Sequence, residues 1–139
     1  MTFERLALGM LAILCMPAAT ALADDYPAVP LLSASKTIMG EDIVYPTTGK
    51  AVVDAVIVTI GPGKKTIVHE HGVPMFAYIL EGELTVDYGE KGKKIYKTGD
   101  SFMEAMKVDH AGSNLTDKPV RILAVYMGAE GSKDVIPVQ

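Results

Sequence analysis

His69 and His71 stand one residue apart, and the third histidine of the chain, His110, is followed four positions later by Asn114. In an extended strand alternate side chains share a face, so His69 and His71 point the same way and can both reach one metal ion. Glu70 between them faces the other side and reads as a surface charge paired with a lysine. A third imidazole from a neighbouring strand completes a set of neutral nitrogen donors. Such a set suits a divalent transition metal, iron, copper, nickel or zinc, and leaves coordination positions open for a reactant.

The elements that must position these histidines lie downstream of a distinct leader. Arg5 opens a short polar start, Leu6 to Met16 is almost wholly apolar, and Ala21-Leu22-Ala23 places small residues where a signal peptidase reads them. Residues 1–23 are therefore expected to be a signal peptide cleaved after Ala23, sending the mature chain to the periplasm or outside the cell. The apolar run is too short to span a bilayer. Cys15, the one cysteine, lies within this run behind Leu14, so it does not mark a lipid attachment site. Without it the mature chain can form no disulfide and can do no thiol chemistry.

Removing Glu4 and Arg5 with the leader leaves the net charge at −4. An acidic chain with no basic stripe is a poor nucleic-acid binder, and the lysine cluster Lys91, Lys93 and Lys94, broken by Gly92, reads as a solvated hairpin tip.

The mature chain of 139 residues less the leader is long enough for one domain with a core of its own. Residues 24–50, bounded by Pro27, Pro30 and Pro46, read as an extended arm with short strands at Leu31 to Met39 and Asp42 to Tyr45. From Ala51 the pattern is regular. Strands are expected at Ala51 to Ile60, Lys65 to His71, Met75 to Leu80, Glu83 to Tyr88, Lys93 to Lys97, Ser101 to Ala105 and Val120 to Met127, with turns at Gly61-Pro62-Gly63 and Gly99-Asp100. The barrel domain is 51–128, and 129–139 reads as a polar tail. No segment shows a capped helical period, so the fold class is all-β, a sandwich or small antiparallel β-barrel.

Two spacings make the chain resemble the cupin superfamily. Gly63, five residues, His69-Glu70-His71 and then Gly82 follow the superfamily's first motif, while Gly99, His110 and Asn114 follow its second. The resemblance implies a single jelly-roll barrel, a double-stranded β-helix, with His69, His71 and His110 as metal ligands inside it. It also implies a homodimer, in which the arm from Tyr26 to Tyr45 could add a strand to a partner's sheet and protect its edge.

The departures from the pattern bear on chemistry. Met75 stands where the first motif carries a ligand carboxylate, and Ala105 and Lys107 replace the second-motif proline and glycine, a change expected to alter only a turn. A thioether is a soft, neutral donor, so the site lacks the usual negative charge. Glu104, next to Ala105 in a strand that the pattern places near the pocket, is the candidate replacement as ligand, base or supporting partner; the competing reading is a solvated strand residue. Met75 and Asn114 are expected at the pocket, with Asn114 orienting a turn or backbone near the metal. Met75, Met103 and Met106 together offer a soft site for Cu(I), although methionine more often fills core gaps. Phe76, Tyr78, Tyr88 and Phe102 read as barrel packing.

The resemblance implies a metal-dependent, dioxygenase-like enzyme acting on a small oxygen-bearing organic substrate, with Glu104 as candidate base. The alternative is a non-catalytic binder of a small molecule or metal. A sugar-nucleotide epimerase of the same fold would need a histidine–aspartate dyad, and Asp109, adjacent to His110 in a strand, faces the wrong way for one.

Overall fold

The computed structural model describes residues 27–138, so the expected leader lies outside it. Nine strands follow in chain order among the described residues: β1 (Ala51–Ile60), β2 (His69–Glu70), β3 (Met75–Glu81), β4 (Glu83–Asp87), β5 (Lys93–Lys97), β6 (Ser101–Met103), β7 (Ala111–Ser113), β8 (Val120–Ala129) and β9 (Ile136–Pro137). A 3₁₀ turn, Gly89–Lys91, closes the β4–β5 hairpin and carries Lys91 at its tip. Lys93 pairs with Asp87 and Lys97 with Glu83 across that hairpin, as its register places them.

All strand pairings are antiparallel. One sheet has the order β1-β8-β3-β6, a second β5-β4-β7, and β2 pairs with β9. Bridges at Lys65–Ser113 and His69–His110 tie the segment around β2 to the second sheet. The two sheets form the facing walls of an antiparallel jelly-roll barrel.

The inward faces follow from period-two patterning. On β3, Met75, Ala77 and Ile79 are buried while Phe76 and Tyr78 are half-exposed on the outer side; on β8, Val120, Ile122, Ala124 and Tyr126 are buried. The register sets Ile79 opposite Ile122, Ala77 opposite Ala124 and Met75 opposite Tyr126. Leu84, Val86 and Tyr88 close the core from the other side, and Phe102 on β6 joins it from the first sheet. Phe76 and Tyr78 thus pack outside the barrel, whereas Tyr88 and Phe102 pack within it.

Gly82 is where the chain leaves one sheet for the other. Its φ is +83°, and a Cβ there would lie 2.5 Å from the Pro119 carbonyl oxygen. Gly82→Ala should therefore cost on the order of 2–3 kcal/mol from left-handed strain plus the clash. Denaturant unfolding measures this, and an unchanged midpoint would disprove it.

Two expectations are corrected. Among its described residues the arm holds no strands, only an isolated bridge between Lys36 and Asp42. The Thr37–Glu41 turn, with Gly40 at φ +83°, folds it locally before any ladder can propagate. It also lies on its own barrel: Ile38 N–H donates to the Met103 carbonyl and Ser101 Oγ to that of Leu31, so the arm flanks its own β6. The second correction concerns Lys65 to His71, of which only His69–Glu70 is regular strand. Thr66 Oγ1 accepts the Gly112 N–H that a continuous ladder would give to backbone.

Residues past 128 are not a free tail. β8 runs to Ala129, Ser132 Oγ closes a turn on the Ala129 carbonyl, and β9 returns to pair with β2. The backbone passes so close that a Cβ on Gly72 would lie 2.3 Å from the Lys133 carbonyl oxygen.

Candidate metal centre

His69 and His110 face each other across an antiparallel pair, each backbone N–H donating to the other's carbonyl at 3.0 Å. His71 follows two residues after His69, held by its N–H to the Met106 carbonyl. Ligand atoms of the three imidazoles lie within 4.8 Å of one another. Ring centroids are 4.5 to 5.0 Å apart, with His71 and His110 buried and His69 half-buried.

Each ring is oriented by its other nitrogen. Nδ1 of His69 lies 2.9 Å from the Ile67 carbonyl, Nδ1 of His71 2.9 Å from that of Asp134, and Nδ1 of His110 2.8 Å from that of Val108. A carbonyl only accepts, so every Nδ1 must carry the proton and every neutral ring must present a bare Nε2 lone pair. The Nε2 atoms of His71 and His110 are buried without a hydrogen-bond partner. Buried polar atoms are rarely left so, and a cation at their convergence satisfies both. These donors fit a divalent transition metal.

Burial lowers the proton affinity of all three rings, that of His71 to about 4, and neighbouring imidazoles push the same way at His69 and His71. The folded apoprotein therefore holds fewer protons here than the unfolded chain between about pH 4 and the ordinary histidine value of 6.5. Its stability should fall as pH drops through that window, by on the order of 3 kcal/mol for His71 alone. Unfolding of metal-free protein at pH 7 and pH 4.5 measures it; equal stabilities would refute the assignment.

Glu104 is not a solvated strand residue. It is 4% exposed and sits beside the centre, its Oε2 3.9 Å from His110 Nε2. Its Oε1 accepts the Tyr88 O–H at 2.8 Å and the Ala105 N–H at 2.7 Å, and Tyr96 Oη is 3.1 Å from Tyr88 Oη. Burial raises the carboxyl pKa to about 7 against those stabilising bonds, and raises Tyr96 to about 12. The carboxylate lies outside the mutual 4.8 Å group of nitrogens, so it flanks the three ligands.

The motif departures prove to be connected. Glu104 N–H donates to the Met75 carbonyl, so the position without the carboxylate and the position with one are cross-strand partners. Ala105 does more than alter a turn: a proline there would have no N–H to hold Glu104 Oε1. Glu41 of the arm accepts the N–H groups of Met106 and Lys107 at 2.9 and 2.7 Å, bracing the loop that follows.

Met75 lines the cavity as expected. Met103 and Met106 line separate surface grooves, so the three thioethers do not converge into a Cu(I) site. Asn114 orients a turn as expected, but it is fully buried and does not line the cavity. Its Nδ2 donates to the Ile60 and Lys118 carbonyls and its Oδ1 accepts from Thr116 N–H and Oγ1, so its bonding capacity is spent on the turn before β8. Glu70 makes no ion pair among the described residues.

Three contributors go beyond the sequence-based candidates. Tyr126 on β8, and Tyr88 just past the end of β4, continue the inward alternation of those strands, a signal the sequence carries. Asp134 acts through its carbonyl alone, and no residue type reports that.

The imidazoles and Glu104 open on a cavity of about 220 Å³ whose other walls come from β1, β3, β4, β6 and β8. Ile67 and Val135, both exposed, rim its mouth.

No curated protein sequence matches the chain. Among solved structures, oxalate decarboxylase from Lactobacillus farciminis is similar at TM-score 0.53 and 22% identity over 62% of this chain and 26% of its own. A DMSP lyase structure (RdDddP and RnDddQII) gives 0.54 and 20% over 63% and 44%. The polyketide cyclase RemF from Streptomyces resistomycificus gives 0.51 and 19% over 67% and 63%. The chain thus spans from about a quarter to under two thirds of these proteins, and the likeness is one of fold. The cupin domain model matches residues 56–126, more than half of the sequence and all of the histidine centre, and the chain belongs to that family.

Proposed function

We propose that this chain is an exported, metal-dependent enzyme of the dioxygenase type, acting on a small oxygen-bearing organic substrate. The observation that carries the reading is the convergence of three Nε2 lone pairs, two of them buried without a partner, in a cavity large enough for a reactant. His69, His71 and His110 would hold iron, copper, nickel or zinc, which when bound supplies Lewis-acid and, for the redox-active ions, electron-transfer chemistry.

The chain's own residues supply the rest. Glu104 keeps Oε1 occupied by Tyr88 O–H and Ala105 N–H and turns Oε2 toward the centre, so Oε2 is the atom that accepts a proton from a substrate hydroxyl. The apolar walls keep water from the reacting atoms. The same carboxylate favours an enzyme over a passive binder, because burying an ionisable group in an apolar cavity is costly unless it is used.

Elemental analysis of protein purified from its native compartment tests the reading. About one iron, copper or nickel per chain supports it; zinc alone would favour binding or hydrolysis, and an empty centre would end it. Export predicts a mature N-terminus at Asp24, readable by N-terminal sequencing; an intact Met1 would refute export.

A homodimer belongs to the same proposal. β1 is the end strand of its sheet, and Val53 and Ile57 are more than half exposed on it. Open apolar edges of this length pair or aggregate unless covered. Light scattering giving the mass of one chain would refute the dimer.

A further inference from the structure

The three ligand histidines are not held alike. His69 and His110 fasten each other, each backbone N–H donating to the other's carbonyl at 3.0 Å, whereas the His71 N–H donates to the Met106 carbonyl at 2.9 Å. The direction of the Met106–Lys107 peptide unit therefore decides where the backbone of His71 sits. In a trans peptide, as this one is, C=O and N–H point opposite ways. Whatever holds the Lys107 N–H also aims the Met106 carbonyl.

What holds it is Glu41. Its Oε1 accepts the Lys107 N–H at 2.7 Å, and its Oε2 accepts the Met106 N–H at 2.9 Å and the Thr37 O–H at 2.8 Å. Two successive N–H groups closing on one carboxylate make an anion-binding concavity, here filled from within the chain. The Thr37 hydroxyl in turn accepts the Glu41 N–H at 3.2 Å, so the Thr37–Glu41 turn presents the carboxylate in a fixed place. Burial works against charge on Glu41, but the Lys107 and Met106 N–H groups and the Thr37 hydroxyl outweigh it and hold the carboxyl below its ordinary pKa. If the Met106–Lys107 unit turned over, its carbonyl would face that negative charge and the Lys107 N–H would face the His71 N–H. Both encounters are repulsive, and both leave polar groups without partners.

Resting on the metal-centre reading above, we propose that Glu41 is a positioning residue of that centre, its carboxylate locking the Met106–Lys107 peptide unit in the one orientation that seats His71 among the ligands. The ring of His71 takes its direction from the Asp134 carbonyl, and its backbone takes its place from the arm. The restraint on this one ligand thus comes from a segment that precedes every strand. The same turn carries Glu104, whose Oε1 takes the N–H of Ala105, next in line before Met106.

Amide hydrogen exchange and Zn²⁺ titration of wild type, Glu41→Ala, Glu41→Gln and Asp42→Asn test this. In metal-free Glu41→Ala the His71 amide should lose protection by about tenfold or more, while the His69 and His110 amides, which bond across to each other, keep theirs. Zn²⁺ should bind Glu41→Ala about ten- to hundredfold more weakly than wild type. Glu41→Gln, which keeps one oxygen to accept one of the two N–H groups, should fall between them. Asp42→Asn removes the neighbouring arm carboxylate, paired with Lys36, and should match wild type in both measurements. With wild-type uptake intact, three results overturn the role while the metal centre stands: a His71 amide that stays protected, all three amides loosening together, or Glu41→Ala binding Zn²⁺ as tightly as wild type. Asp42→Asn losing as much as Glu41→Ala would overturn it too. A wild type that takes up no Zn²⁺ fails the metal-centre reading itself, and this role with it. Where Glu41→Ala does not fold, Glu41→Gln carries the same comparison.

Discussion

His110→Ala is expected to abolish metal uptake, taking the content from about one ion per chain to near none. The wild-type protein should gain about 4 kcal/mol of stability at a metal concentration a thousandfold above its Kd, whereas the variant should gain nothing. The physical reason is that the three Nε2 atoms converge with their Nδ1 atoms already bonded to carbonyls, so no other ring tautomer can offer a replacement donor. Glu104 does not substitute from its present place, because its carboxylate lies outside the 4.8 Å group of ligand nitrogens. Thermal unfolding with and without added Zn²⁺ measures both arms. A metal-induced shift surviving in His110→Ala and in His71→Ala would remove the centre from the account.

The second large effect concerns Glu104→Gln. Metal content should be retained, because the carboxylate lies outside the nitrogen cluster, while turnover should fall by roughly 10²–10⁴ for loss of a positioned base. Stability provides a readout independent of substrate. The folded carboxyl, at about 7, keeps its proton over a range where an unfolded one, at 4.5, has lost it. Its contribution is therefore fully present below about pH 4.5 and is lost as pH rises through 7. Glu104→Gln apoprotein should be relieved of that loss, gaining on the order of 3 kcal/mol relative to wild type between pH 5 and pH 8. Ala105→Pro should reproduce part of the activity loss, since it removes the N–H donor while keeping the carboxylate. Glu104→Gln with full activity and an unchanged pH–stability curve would refute the role.

The barrel is readable from residues because its inward positions are chemically distinct. Met75, Ala77 and Ile79 on β3, and Val120, Ile122, Ala124 and Tyr126 on β8, alternate with less buried partners, and Gly82 marks a crossing that only glycine fits. The histidines are readable because spacing in a strand dictates direction. Glu104 could be nominated but not placed, since whether it faces solvent or cavity depends on the Met75–Glu104 backbone bond and on Tyr88 across the barrel, contacts far apart in sequence. Ala105 is illegible in the sequence because its importance lies in a backbone N–H, which a residue's identity advertises only by not being proline. The arm is ambiguous for a related reason: its apolar residues satisfy a strand pattern, but Glu41 spends its carboxylate on Met106 and Lys107 and fastens the arm to its own domain.

The Asp134 carbonyl that orients His71, and the β9 strand that covers β2, follow every other described strand in chain order. During vectorial synthesis the two adjacent histidines therefore emerge early, with one ring still free to rotate, and more than sixty residues pass before its acceptor exists. A chain interrupted before residues 134–137 therefore carries the three ligand residues without the latch that aligns His71.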